Sequence, residues 1–502
     1  MGDPEYFAIH RPIPSASIRM FTLLLSAALL APLTASPAGV TTQDSPALER
    51  ALSAISVKNA SADLHFLASD ELGGRDTPSV GQRVAALFIV ARMQRLGLTP
   101  MGNRGFLADY QLMRGSLDPE TCGASLTIAG EEHTLSMPQD YYLGRGGVGP
   151  MDIAGGAVFV GTGSAEELDG LDLEGKWAVC LTSTEVRTRD SSAGAKSAGA
   201  IGLLYMPGTE RDAERFNQQA ERNVSRLAER AGRGGGLQSF EQAWPVTLVS
   251  PARATAMLPD GAETKVGTEL AFTWGEKRGL SESSEIVDLE NVAAFWPGND
   301  PVIGNEVIII SAHYDHVGTQ GEDIYNGADD NGSGTTGMLQ IAEALVAHGP
   351  LRRSVLLLWV SGEEKGLLGS KAWTLNPTLS EEYTAVCNLN IDMIGRNAPD
   401  YLMITPTKER PEYNFIVARF EELAPLEGFP TLANADQYYG RSDQINFSRN
   451  MDIPVAFLFS DVHDDYHQPS DTADKIDYDK LVRVTRLVVR MIMSLQTDEL
   501  GA

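Results

Sequence analysis

The chain has 502 residues, 43% of them hydrophobic, and its 40 Lys and Arg against 67 Asp and Glu give a formal charge of −27. That apolar content excludes a long disordered chain, and the length accommodates about three domains or one large α/β domain with an insert. The acidic balance argues against nucleic acid or an anionic membrane surface as a partner, because both are bound by clustered Lys and Arg.

In chain order, Arg19 and Met20 precede an apolar run, Phe21 to Leu33, and then the small residues Thr34-Ala35-Ser36-Pro37-Ala38. Charge, apolar stretch and small-residue exit are the parts of an export signal. Residues 1–38 are therefore expected to be removed, with Met20 as the natural start and a periplasmic or secreted product. The run is shorter than the ~20 residues a spanning helix needs, and no later segment is long and apolar enough to be a stable span.

Residues 45–98 carry helical periodicity, with Gly97 as a helix-ending residue, and 106–113 read as a strand. From about 125 the texture changes to short strands such as 156–160 and 176–181, a short helix feeding a strand across 195–205, and a charged helix over 209–230 before the glycine run 232–236. From about 290 strands alternate with helices. The expected strands are 291–295, 307–311, 354–360, 385–391, 401–404 and 454–459, and the expected helices 334–347, 366–374, 413–423 and 478–495. This alternation predicts an α/β fold, a mostly parallel or mixed sheet with helices on both faces. The continuous apolar runs Val307-Ile308-Ile309-Ile310 and Val355-Leu356-Leu357-Leu358 are those of strands buried on both faces. The organisation expected is a main domain in two parts, 45–124 and 266–498, separated by an insert at 125–265. Cys122, Cys180 and Cys387 form no C-x-x-C and are expected to be unpaired small hydrophobes.

Sites in open α/β sheets form beyond the carboxyl ends of strands. Here those ends run into His313-Tyr314-Asp315-His316, Ser361-Gly362-Glu363-Glu364, Asp392 and His463-Asp464-Asp465-Tyr466-His467, while Asn326-Gly327-Ala328-Asp329-Asp330 stands just before a helix. Imidazoles and several carboxylates on one sheet edge are the donors that a pair of zinc-like ions needs, and a bridging carboxylate holds two such ions. The residues by themselves thus read as a two-metal hydrolase.

The motifs SAHYDH (311–316), NGADDNGSG (326–334), SGEEKGLLGS (361–370), NLNIDMIGR (388–396), GRSDQINF (440–447) and YHQPSDT (466–472), with FLASDELGGR (66–75), resemble the secreted dizinc aminopeptidases. The wider superfamily of those enzymes includes glutamate carboxypeptidase and the transferrin receptor. The insert, with AKSAGAIGLLY, resembles their protease-associated domain. The resemblance implies two Zn2+ per chain, His313 and Asp392 on one, Glu364 and His467 on the other, and Asp329 bridging, with a cis peptide between Asp329 and Asp330. It implies Glu363 as general base for a hydroxide held between the ions, Asp315 orienting His313, Asp471 orienting His467, and Tyr466 donating to the oxyanion, with Arg441 a looser candidate. The substrates implied are peptides with a free N-terminus.

Rival readings differ in recognisable ways. A dizinc carboxypeptidase or dipeptidase wants an arginine cluster for a substrate carboxylate, for which only Arg441 offers itself. A glutaminyl cyclase uses one zinc, and a receptor-like binding protein would have broken ligands. The G-x-G-x-x-G at 144–149 runs into Pro150 and lacks the strand and helix of a dinucleotide site. No H-E-x-x-H or G-x-S-x-G is present. His463, four residues before His467, is the rival ligand.

Overall fold

The computed structural model describes residues 44–144, 150–232, 236–239, 244–497 and 499–500. The expected export segment 1–38 and most of both glycine runs lie outside them. The body formed from Ser45 onward is organised by a ten-stranded mixed sheet. At its centre stand four parallel strands in the order Ser354–Val360, Glu306–His313, Thr384–Ile391 and Val455–Phe459. Antiparallel neighbours flank them, Glu285–Trp296 on one side and Met403–Thr405 on the other. Leu107–Gly115 extends the first side.

The central strands are apolar throughout because both faces are covered. Ile308 and Ile310 pack into one core, Val307 and Ile309 into another. The first core is closed by helices Pro46–Ala54, Val57–Leu67, Val80–Leu96, Gly334–His348 and Tyr478–Ser494, the second by Leu368–Leu375 and Gln444–Met451. Each fully buried aliphatic side chain there contributes roughly 1.5–3 kcal/mol. Local signals set the helix ends: Ser79 accepts from the N–H of Gln82 at the start of Val80–Leu96, and Gly97, at φ 78°, ends it. No helix among the described residues is long and apolar enough to cross a membrane.

A separate eight-stranded sheet lies between Gly123 and Arg278 with its own core, which includes Trp177, Trp274 and Leu204. The expected insert, 125–265, is therefore too short at both ends. Strand Glu269–Arg278 sits inside this sheet, paired with Gly123–Ile128 and Met151–Phe159. Its pattern misleads because two inward residues are charged. Glu276 and Arg278 form a fully buried ion pair at 2.7 Å, and Thr247 and Trp274 also donate to Glu276. The chain also leaves this region once, since Gly236–Ser239 pairs with Leu107–Gly115 in the main sheet.

Candidate metal centre

The four parallel strands end at one edge, and their ends carry the polar residues inward. His313 is the last residue of its strand, Glu363 and Glu364 follow Val360, Asp392 follows Ile391, and His467 lies in the loop after Phe459. The turn Ala328–Ser333, just before helix Gly334–His348, enters between them.

Two donor groups result, sharing one residue. His313 Nε2 lies 3.4 Å from Asp330 Oδ1 and 3.3 Å from Asp392 Oδ1. His467 Nε2 lies 3.0 Å from Asp330 Oδ2 and 3.3 Å from Glu364 Oε2. Donors bound tetrahedrally at zinc distances stand about 3.3 Å apart, close to these separations. His313 Nε2, Asp392 Oδ1 and His467 Nε2 are buried without a hydrogen-bond partner. Buried polar atoms normally have partners, and here they face one another as ligands of a cation would. The residues fit a pair of divalent ions. His316 joins the second group, with Nδ1 2.9 Å from Glu364 Oε1.

The shared residue is Asp330, which corrects the expectation for Asp329. Asp329 turns away: its Oδ1 accepts the N–H of Gly395 at 2.7 Å, and its Oδ2 faces His463 Nε2 at 3.3 Å. That contact also takes the rival His463 out of both groups. The cis peptide lies one residue later than expected, between Asp330 and Asn331. Adjacent side chains at such a turn point in different directions, and backbone anchoring decides which faces the site. Asp471 accepts the N–H groups of Asp329 and Asp330, rather than orienting His467. Asn331 bonds Ile391 and Gly334, and the buried Arg75 guanidinium donates to the carbonyls of Tyr314, Asn326 and Gly327. Arg75 closes the FLASDELGGR segment, so that motif works by holding the turn in place.

Asp315 also differs from expectation. The Nδ1–H of His313 goes to the backbone carbonyl of Asp315 at 3.2 Å, and the Asp315 carboxylate is 3.8 Å away. That carboxylate accepts from the Thr77 hydroxyl and from the N–H of Glu363. It thereby also anchors the backbone of Glu363. The carbonyl still leaves Nε2 of His313 bare for a cation.

The electrostatics match a cation site. Burial pulls the His313 and His467 imidazoles down, but neighbouring carboxylates outweigh it, raising His313 well above its ordinary range and His467 to about 10. Burial also pushes Glu364 up, and its contacts with His316 and His467 more than reverse this, leaving it well below the usual carboxylate range. Glu363 goes the other way: burial, reinforced by Asp443, Glu364 and Asp392, raises it well above that range despite the opposing charge of His313. Glu363 lines a cavity together with Asp330, Asp392, Tyr466 and the exposed Arg441. Met393, Phe457, Phe459 and Val462 form apolar wall beside them. Tyr466 stacks on the His467 ring at 4.0 Å.

Sequence reading missed Asp330, His316 and Ser442. All three stood inside quoted motifs, one residue from Asp329, three from His313 and one from Arg441. Ser442, whose hydroxyl donates to Asp392, is a residue type that by itself does not mark a metal site.

Fold and site together define a mixed α/β protein with two groups of possible cation donors, sharing Asp330, on one sheet edge. Residues 291–492, which carry every residue of both groups, match Peptidase family M28. Leupeptin-inactivating enzyme 1 of Streptomyces exfoliatus is 35% identical over 188 residues, covering 37% of this chain and 38% of that protein. Aminopeptidase YwaD of Bacillus subtilis is 26% identical over 192 residues, covering 37% of this chain and 40% of that protein. The chain thus spans about two fifths of the length of these relatives. Among solved structures, an aminopeptidase from Aneurinibacillus sp. strain AM-1 aligns with 89% of this chain and 95% of its own at 21% identity and a TM-score of 0.47.

Proposed function

We propose that this protein is a zinc-dependent aminopeptidase that removes N-terminal residues from peptides. The observation carrying the reading is Asp330, whose two carboxylate oxygens face separate imidazole–carboxylate groups. His313 and Asp392 would hold one ion, His467 and Glu364 the other, and Asp330 both. Imidazole nitrogen with carboxylate oxygen suits zinc. Bound ions there supply Lewis-acid chemistry, making a water acidic and a peptide carbonyl electrophilic.

The remaining work falls to the chain. Glu363 lines the cavity beside both groups and has a carboxyl raised by burial, so it can take a proton from the attacking water and return it to the leaving amine. Tyr466, which lines the same cavity, would donate to the developing oxyanion. The acidic groups Asp330, Glu363 and Asp392 favour a free α-ammonium as the end that enters. The same reading makes the protein exported, supported by the run from Arg19 to Ala38, and takes Gly123–Arg278 as a protease-associated module, supported by its separate sheet and core.

The test is to incubate the protein with matched free and N-acetylated peptides, with and without a chelator, and identify products by mass spectrometry. Stepwise loss from free N-termini, abolished by chelation, is expected. Cleavage from the C-terminus would favour the carboxypeptidase reading. Absence of cleavage by zinc-loaded protein would overturn the hydrolase reading.

A further inference from the structure

We infer that His316 is a positioning residue that makes Glu364 a one-oxygen ligand, by donating its Nδ1–H to Oε1 and leaving Oε2 for the cation. The inference rests on the metal centre proposed above. His316 is fully buried, with Nδ1 2.9 Å from Glu364 Oε1, while Glu364 Oε2 is the oxygen 3.3 Å from His467 Nε2. The two oxygens of Glu364 are thus divided between a histidine on each side.

A direct ligand role for His316 fits the distances less well. Its Nδ1 is 3.7 Å from Asp330 Oδ2, whereas His467 approaches that oxygen to 3.0 Å. The 2.9 Å contact has hydrogen-bond length. Proton bookkeeping points the same way. The Nε2 atom of His316 is buried and has no partner. If Nδ1 bound a cation, Nε2 would carry a hydrogen with no acceptor. If Nδ1–H donates to Glu364, Nε2 is a bare lone pair, which is easier to bury unpaired.

The ring is held in place from several sides. Gly327, at φ 57°, lies against it, and a Cβ there would stand 2.4 Å from the His316 Cγ atom and 2.5 Å from Cδ2. The His316 N–H donates to the carbonyl of Arg75 at 3.3 Å. The His467 ring packs edge-on at 5.5 Å. A donor fixed in this way keeps Glu364 from turning to chelate through both oxygens.

The test compares the full-length His316→Phe and His316→Asn proteins with wild type. Phe keeps the ring volume and has no donor, while the Asn amide N–H sits near the position of imidazole Nδ1. Zinc is titrated into metal-free protein against a chromophoric chelator, and the cobalt-loaded forms are compared by visible absorption. Wild type should bind two ions. His316→Phe should weaken one of them by roughly 10- to 100-fold and leave the other unchanged. His316→Asn should recover most of that loss and keep the wild-type cobalt spectrum. Asn as weak as Phe, with an altered cobalt spectrum, would make His316 a direct ligand and overturn the inference. Two undiminished affinities in His316→Phe would overturn it while leaving the metal centre standing. Failure of wild type to bind divalent ions would instead remove the proposed function and this inference together. If the Phe protein does not fold, His316→Ala against His316→Asn makes the same comparison.

Discussion

Ser442 donates its hydroxyl to Oδ2 of Asp392 at 2.8 Å, and this bond leaves Oδ1 facing His313. Ser442 Oγ also accepts from the side-chain amide of Asn390, so its proton is directed at the aspartate. Ser442→Ala should therefore loosen Asp392 and weaken the ion at the His313 group by about tenfold or more. Chelator competition on the purified variant measures this, and unchanged affinity at both sites would assign Ser442 a packing role only.

Asp329 and Asp330 should separate cleanly. Asp330→Asn removes the charge shared by both donor groups and should leave less than two equivalents of zinc bound, with activity lost. Asp329→Asn keeps an oxygen for the Gly395 N–H and should bind both ions, while Asp329→Ala orphans that buried N–H and should lose about 1–3 kcal/mol of stability. Metal content by mass spectrometry and denaturant unfolding distinguish the three variants. Two ions bound by Asp330→Asn would reverse the assignment.

Glu363 belongs to neither donor group, yet it lines the same cavity as Asp330 and Asp392. Glu363→Gln should cut kcat by about 10²–10⁴ while both ions stay bound. Steady-state kinetics alongside metal content give the answer, and full turnover in this variant would remove Glu363 as the base.

Lys480 supplies a pH dependence away from the donor groups. It is fully buried and donates to the carbonyls of Arg396 and Ala398, and burial lowers its pKa from 10.5 to about 8, against opposing pulls from Asp329 and Asp477. Below pH 8 both folded and unfolded chains hold this proton, and the burial penalty is present in full. Between 8 and 10.5 the unfolded chain holds more of it, so this residue's contribution to stability improves as pH rises. The stability of wild type minus that of Lys480→Met should rise by roughly 2 kcal/mol between pH 7.5 and 10. Urea unfolding at both pH values checks this, and a flat difference would show that Lys480 titrates normally.

Much of the fold was legible in the residues. Strand Ser354–Val360 was bounded correctly because seven successive side chains are buried, which only a doubly covered strand requires. Glu269–Arg278 was not, because its buried Glu276 and Arg278 satisfy each other through space and disguise the inward face as polar. Strand Gly236–Ser239 could not be assigned to the main sheet from local pattern, since its partner Leu107–Gly115 is remote in sequence.

The site divides in the same way. The amino-acid sequence by itself determined that imidazoles and carboxylates follow the apolar strands, because burial on both faces makes those strands recognisable and their ends are where polar side chains can emerge. It also marked His313, Glu364, Asp392 and His467 by motif. Only the tertiary structure decided that Asp330 rather than Asp329 turns inward, that a carbonyl rather than the Asp315 carboxylate orients His313, and that His316 and Ser442 each take one oxygen of a donor carboxylate. Those choices depend on anchors such as Asp471, Gly395 and Arg75, which are distant in the chain and meet the turn only when the sheet edge is assembled.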